Sequence, residues 1–522
     1  MLLRRPKLHL LPDLLPSWAQ CRGVFHLGKA GSASELRAAR GTWQWREFAV
    51  FLRPEVQHTP FTARLLQKGA VMRQERQQSL GWRSPVPEVM GILLGDVQGA
   101  GQQPITFLRQ VTAISTYPRL LDHPALPLDA KQRAREILAN CAGNSIGAYT
   151  EPEGIGAVRH SVAQYLEQRD GGVPADPNNV YLMNGTSNAM SIIFNLLIDR
   201  SRSRRTGLLV PVPCGEVSWH TISMLGGVVL PYHLDAEQGW EVTAQELRRV
   251  VEEGRGHCQP MALCVTNPGI PTGHVMSRRC MEHVIRFAVD EGLLILAKEG
   301  HPSDIYSGSC QQQTFKKVLS EMGPKYAGVL ELVSFNSVSS GHIGESGARG
   351  CFMEVLNMSP AVQMYIGLML AAFDSASVTA QIAIDVATRP PQPGHPSYPL
   401  FQAEKRESLR MLAEQARLTE GMLNTIPGIS CAVINSGTFA FPRIELPDGA
   451  REAAEAMNLR LDTFYSHRLL MDTGCLLAPG GDFGLQDGPW HFRMNFLLPL
   501  DKLKLTLEKI MEFHRKFMAE FS

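Results

Sequence analysis

A chain of 522 residues exceeds what one hydrophobic core usually fills, so two domains, or a large domain with a smaller companion, are expected. Hydrophobic residues at 44% and charged residues at 19% exclude extensive disorder, and 51 Lys plus Arg against 50 Asp plus Glu leave no electrostatic basis for nucleic-acid binding. The ten cysteines form no CxxC pair and no Cys/His cluster at zinc spacing, which argues against a metal site or a disulfide framework.

In the first forty residues Arg4, Arg5, Lys7, Arg22, Lys29, Arg37 and Arg40 are opposed only by Asp13 and Glu35, with serines and leucines between. That composition fits a mitochondrial transit peptide over residues 1–45, and equally a basic, unstructured start of a cytoplasmic protein. Residues 46–126 read as an N-terminal arm with part of a small domain, and 127–388 as the main domain. There, helical periodicity over 128–141 and 157–169 alternates with buried-strand runs such as GLLVPVP, ALCVTNP, LLILAK and LELVSFN. This alternation predicts an α/β core, a mostly parallel sheet with helices on both faces. The apolar run YIGLMLAAF (365–373) is too short to span a bilayer and reads as a buried helix, so no membrane segment is expected. Proline-rich residues 389–399 read as a linker. A helical run over about 403–424, short strands in SCAVINS, TFAFPRI and HFRMNFL, and a helix from Leu500 make 400–522 a smaller α+β domain.

Parallel sheets bind ligands at the carboxyl ends of their strands. NGTSNAM (184–190) offers Thr186 and Ser187 at a helix start, which suits a phosphate or simply an N-capped helix. In FNSVSSGHIGESGARG (335–350), Ser337, Ser339 and Arg349 either clamp an anion or leave the arginine as a solvated charge.

The order of these loops resembles the alanine aminotransferases of the class I pyridoxal-phosphate family. So do GQQPITFLRQV (101–111), TNPGIPTG (266–273), FKKVLSEMGPKY (315–326) and HFRMNFLLP (491–499). The resemblance implies the type I aminotransferase fold and a homodimer with active sites at its interface. By position, Arg493 matches the arginine that pairs with the substrate carboxylate, and Arg349, Ser337, Thr186 and Ser187 match the cofactor's phosphate site. Tyr149 resembles the tyrosine that reaches the neighbouring subunit's phosphate, and Asn267 is also in place among the cofactor-binding positions.

Other positions depart from the pattern. Ser340 stands where the family has the Schiff-base lysine, which anchors the cofactor and later moves the proton. Lys298 stands where an aspartate normally keeps the pyridine nitrogen protonated. At ~4 Å and an effective dielectric of ~20, a cation there opposes the pyridinium by about 4 kcal/mol, roughly three pKa units. Ile270 replaces an asparagine, His301 a tyrosine, and Gly215 a ring-stacking tyrosine. Lys298 is expected to be solvated or paired with Glu299; a relocated Schiff-base role would bring it to the wrong edge of the ring.

The resemblance therefore implies the reaction of L-alanine with 2-oxoglutarate, while the departures favour a protein inactive in transamination that does not bind the cofactor covalently. An active transaminase, and a non-catalytic partner forming heterodimers with an active family member, are the alternatives. A small amino or keto acid remains a possible ligand.

Overall fold

The computed structural model describes residues 61–78, 87–90, 97–199, 201, 203–215, 217–300, 305–307, 310, 313–373, 375–486 and 488–522. The basic N-terminal segment and His301 lie outside the described residues.

The main sheet is built from β1 (Val180–Asn184), β2 (Thr206–Val212), β3 (Val228–His233), β4 (Gln259–Asn267), β5 (Leu294–Glu299), β6 (Leu332–Ser337) and β7 (Gly350–Leu356). Their order is β1-β7-β6-β5-β4-β2-β3. Pairings among β2 to β6 are parallel, and β7 runs antiparallel to both β6 and β1. Both faces are covered, which is why the central strands read as continuous apolar runs. Leu208, Leu294, Leu296 and Val333 pack on one face with Ile192 and Phe194 of the helix Thr186–Leu197. Leu209, Leu263, Ile295 and Leu332 pack on the other with Val250, Val284 and Phe315.

β8 (Ile429–Ser430), β9 (Phe439–Ala440), β10 (Arg443–Ile444), β11 (Ala478–Pro479) and β12 (Trp490–Asn495) form a second, antiparallel sheet. Helices Tyr398–Leu423, Leu461–Thr473 and Leu500–Phe521 enclose it around an aromatic core of Tyr465, Phe492, Phe513 and Phe517. This is the type I aminotransferase architecture: a mostly parallel sheet between helices with a smaller α+β lobe. The strand expected across SCAVINS (430–436) does not form beyond Ser430, where β8 ends. The helix Pro360–Phe373 is not the buried one its apolar run predicts. It buries Ile366 and Leu370, while Tyr365, Leu368 and Phe373 are 54%, 56% and 54% exposed.

Beneath the carboxyl ends of β5 and β6 lies a buried polar network. Arg169 pairs with Asp170 at 2.8 Å, donates to Asn336 Oδ1 at 3.1 Å, and lies 4.0 Å from Glu299 Oε2. Glu299 Oε1 accepts the Phe315 amide at 2.7 Å, and Lys316 meets Glu354 at 2.5 Å. Burial pushes Glu299 up to about 7 from 4.5, against the pull of Arg169. The folded protein thus holds this proton more tightly than the unfolded chain does. The resulting stabilisation is full below about pH 4.5 and is lost as pH rises through 7. Glu299→Gln should flatten the stability profile across that window by on the order of 3 kcal/mol. Urea unfolding at a series of pH values checks this, and an unchanged slope counts against it.

Candidate functional site

The pleat of β5 decides what faces the ligand end of the sheet. Successive side chains alternate faces, so Lys298 continues the row Leu294, Leu296 while Glu299 turns into the buried network. Register aligns Lys298 with Thr266 of β4 and Phe335 of β6, and Glu299 with Asn267 and Asn336. The expected Lys298–Glu299 pairing therefore does not occur. Nor does Asn267 reach the cleft. Its Oδ1 accepts the Met276 amide at 2.9 Å and its Nδ2 donates to Gln313 at 3.3 Å, an internal role.

A cleft of about 80 Å³ opens at these strand ends. Thr186, Ile270, Lys298, Ser337 and Ser340 line it, so five of the residues singled out from sequence converge. Leu412, Ser436 and Gly437 close it from the smaller lobe, and sequence reasoning missed them. They belong to a helix and a loop far along the chain, and only the closing of the two lobes makes them neighbours.

The helix Thr186–Leu197 starts at this cleft, its first-turn amides carrying the positive end of the helix dipole. Thr186 Oγ1 donates to Cys351 Sγ at 3.7 Å. Ser337 Oγ lies 2.9 Å from Ser339 Oγ and accepts the Ser339 amide at 3.1 Å. Arg349, at φ 59°, donates to the Ser346 carbonyl at 3.2 Å, and its guanidinium lies against Gly185. The loop carrying Ser340 is pinned from outside: Gln98 donates to Gly344 and Gln102 to Gly341, and Arg109 pairs with Glu345 at 2.9 Å. Those three residues lie in or beside the 101–111 segment, which gives that motif its structural purpose.

Lys298 is half-buried in the cleft wall and has no hydrogen-bond or ion-pair partner among the described residues. Desolvation pushes its ammonium below the usual lysine range. Burial raises the nearby Cys351 thiol to about 12, so it offers no compensating thiolate.

Residues 113–510 match the family model described as aminotransferase class I and II. The chain is 45% identical to human alanine aminotransferase 1 over 473 residues, covering 90% of this chain and 95% of that one. It is 45% identical to Xenopus laevis alanine aminotransferase 2 over 448 residues, 86% of this chain and 83% of that one. The chain belongs to the alanine aminotransferase family. An Arabidopsis thaliana relative, mitochondrial alanine aminotransferase 1, is 37% identical over 442 residues, 84% of this chain and 80% of that one. Among solved structures, an alanine aminotransferase from Pyrococcus furiosus matches with TM-score 0.66 at 17% identity, covering 89% of this chain and 99% of that one, which shows the shared fold.

The remaining residues drawn from the family pattern sit outside the cleft lining. Arg493, on β12, lays its guanidinium 4.4 Å from the Phe439 ring and 4.9 Å from the Phe483 ring. Ser187 and Arg349 flank the helix start on its exposed side. Tyr149 is 94% exposed, and Gly215 fronts open space.

Gly185 has a backbone reason to be glycine: its φ is 87°, and an added Cβ would fall 2.3 Å from Arg349 Nη2. Gly185→Ala should therefore cost about 1–3 kcal/mol of backbone strain and displace Arg349. Gly215→Ala, where a Cβ meets nothing within 4 Å, should stay near wild type in the same thermal unfolding comparison.

Proposed function

We propose that this member of the alanine aminotransferase family does not transaminate. The observation that carries the reading is the Lys298 side chain in the cleft wall, without an ion-pair partner among the described residues, at the position where the family pattern calls for a carboxylate.

Class I aminotransferases depend on pyridoxal phosphate, and the cleft can be tested against that cofactor. The phosphate end is compatible: Thr186 at a helix start, Ser337 and Arg349 supply hydroxyls, amides and a guanidinium. The ring end is not. Ser340 offers no amine, and Lys298 supplies no carboxylate to hold a ring nitrogen protonated. The residues do not fit pyridoxal phosphate as a working cofactor.

Two features support a role through association. The helix Pro360–Phe373 exposes Met364, Tyr365, Leu368 and Phe373, an apolar surface of the kind that marks a protein interface. Tyr149 extends fully into solvent, as a residue that serves a neighbouring subunit would. We read the protein as a dimer, either with itself or with an active relative. The basic N-terminal segment and the mitochondrial name of the Arabidopsis thaliana relative support import into the mitochondrial matrix.

Purified protein supplied with pyridoxal phosphate should show no half-reaction with L-alanine or 2-oxoglutarate. Ser340→Lys alone should leave turnover negligible, because Lys298 keeps its place. Combining it with Lys298→Asp, Ile270→Asn and Gly215→Tyr should raise the rate far beyond the single changes, as for residues acting as a unit. Substantial turnover by the unaltered chain would overturn the reading.

A further inference from the structure

The loss of transamination leaves Lys298 without a role, yet its surroundings are those of a reactive amine. Its side chain lines a partly enclosed cleft, and it makes no ion pair or hydrogen bond to any described residue. The nearest carboxyl in sequence, Glu299, is turned away and held by the Phe315 amide. The hydroxyls of Thr186, Ser337 and Ser340 line the same cleft. Desolvation favours the free-base form of the amine, the form that is nucleophilic.

We propose that Lys298 is a covalent receptor for a small 2-oxo acid, its ε-amine condensing reversibly with the ligand's ketone inside this cleft. The nitrogen lone pair attacks the carbonyl carbon, forming the C–N bond, and an N–H proton passes to the carbonyl oxygen. Protonation of that oxygen then lets it leave as water while the nitrogen lone pair closes the C=N bond. No electrons are gained or lost: the carbonyl π pair moves to oxygen in the attack, and the amine's second N–H proton, released as the C=N bond forms, replaces the one taken up by the departing water. Hydrolysis returns amine and ligand.

Size and charge select the class. The cleft, with about 80 Å³ of free space between Ile270, Lys298 and Leu412, has room for a small ketone beside the amine. The helix start at Thr186 and the guanidinium of Arg349 make the neighbourhood positive, so a carboxylate-bearing ketone is favoured over a neutral aldehyde. The proposal rests on the reading that pyridoxal phosphate does not occupy this cleft.

The test is reductive trapping on the full chain. With pyruvate and sodium cyanoborohydride, peptide mass spectrometry should find the reduced adduct predominantly on Lys298. Lys298→Arg, which keeps the cation without a nucleophilic amine, should lose it, as should Lys298→Met. Acetaldehyde should label Lys298 less than pyruvate does. Labelling confined to surface lysines, or undiminished total labelling in Lys298→Arg, defeats the proposal, and equal labelling by acetaldehyde removes its carboxylate selectivity. A parallel incubation with pyridoxal phosphate and borohydride separates the two readings. A pyridoxyl group on Lys298 overturns the cofactor exclusion. Absence of both labels sinks the covalent receptor alone and leaves the non-transaminating reading standing.

Discussion

The two-residue alternation at the end of β5 is the constraint on which the site depends. Glu299 is fixed by the Phe315 amide and by its proximity to Arg169, which is itself held by Asp170 and Asn336. With Glu299 committed to that face, the pleat leaves Lys298 no direction except into the cleft. The buried network thus orients a side chain that it never touches. A one-residue slip of β5 would exchange the two, placing a carboxyl in the cleft and an ammonium among Arg169 and Lys316. That alternative adds a buried cation and removes a carboxyl beside Arg169, so the register is fixed electrostatically as well as by Leu294 and Leu296.

Much of the polar frame around the cleft is maintained for reasons independent of catalysis. Gln98, Gln102 and Arg109 secure the loop from residue 341 to 345, and the Ser337–Ser339 contact closes its turn. These bonds satisfy backbone carbonyls and a buried carboxyl that would otherwise be costly. A chain that ceased to do cofactor chemistry would still need them to fold. Retention of a phosphate-cup sequence is therefore weaker evidence of cofactor use than the identity of the side chains facing the ring, which carry no comparable folding duty.

The same division explains how far the sequence could be read. β2, β4, β5 and β6 were legible because both faces of each are buried, which leaves unbroken apolar runs. β3 was not: it is an edge strand interrupted by Pro231 and exposed at alternate positions. β7 was hidden by Glu354, whose charge makes sense only once Lys316 is seen beside it. Thr186, Ile270, Lys298, Ser337 and Ser340 converge because they sit at the carboxyl ends of β1, β4, β5 and β6, which open at one edge of the sheet. The Lys298–Glu299 pairing failed because adjacency in sequence is opposition in a strand. Asn267 failed on the same face rule, and Leu412, Ser436 and Gly437 left no local signal. The apolar run of the helix Pro360–Phe373 reads as core because composition alone does not distinguish a buried face from an exposed one.

The charge state of Lys298 follows from what surrounds it. A fully charged ammonium without a counter-ion in a desolvated wall is expensive, and such a group lowers the cost by releasing its proton. The neighbouring Cys351 cannot supply the missing charge, since burial holds it as a thiol and Thr186 already donates to its sulfur. Placing a carboxylate here, as the family pattern has it, would be equally costly in the empty cleft and is made economical there only by a cationic ring nitrogen. An amine has another way out, because its neutral form is a nucleophile rather than a spent acid. The substitution thus exchanges a residue that needs a bound cation for one that tolerates an empty site and gains reactivity from the same desolvation.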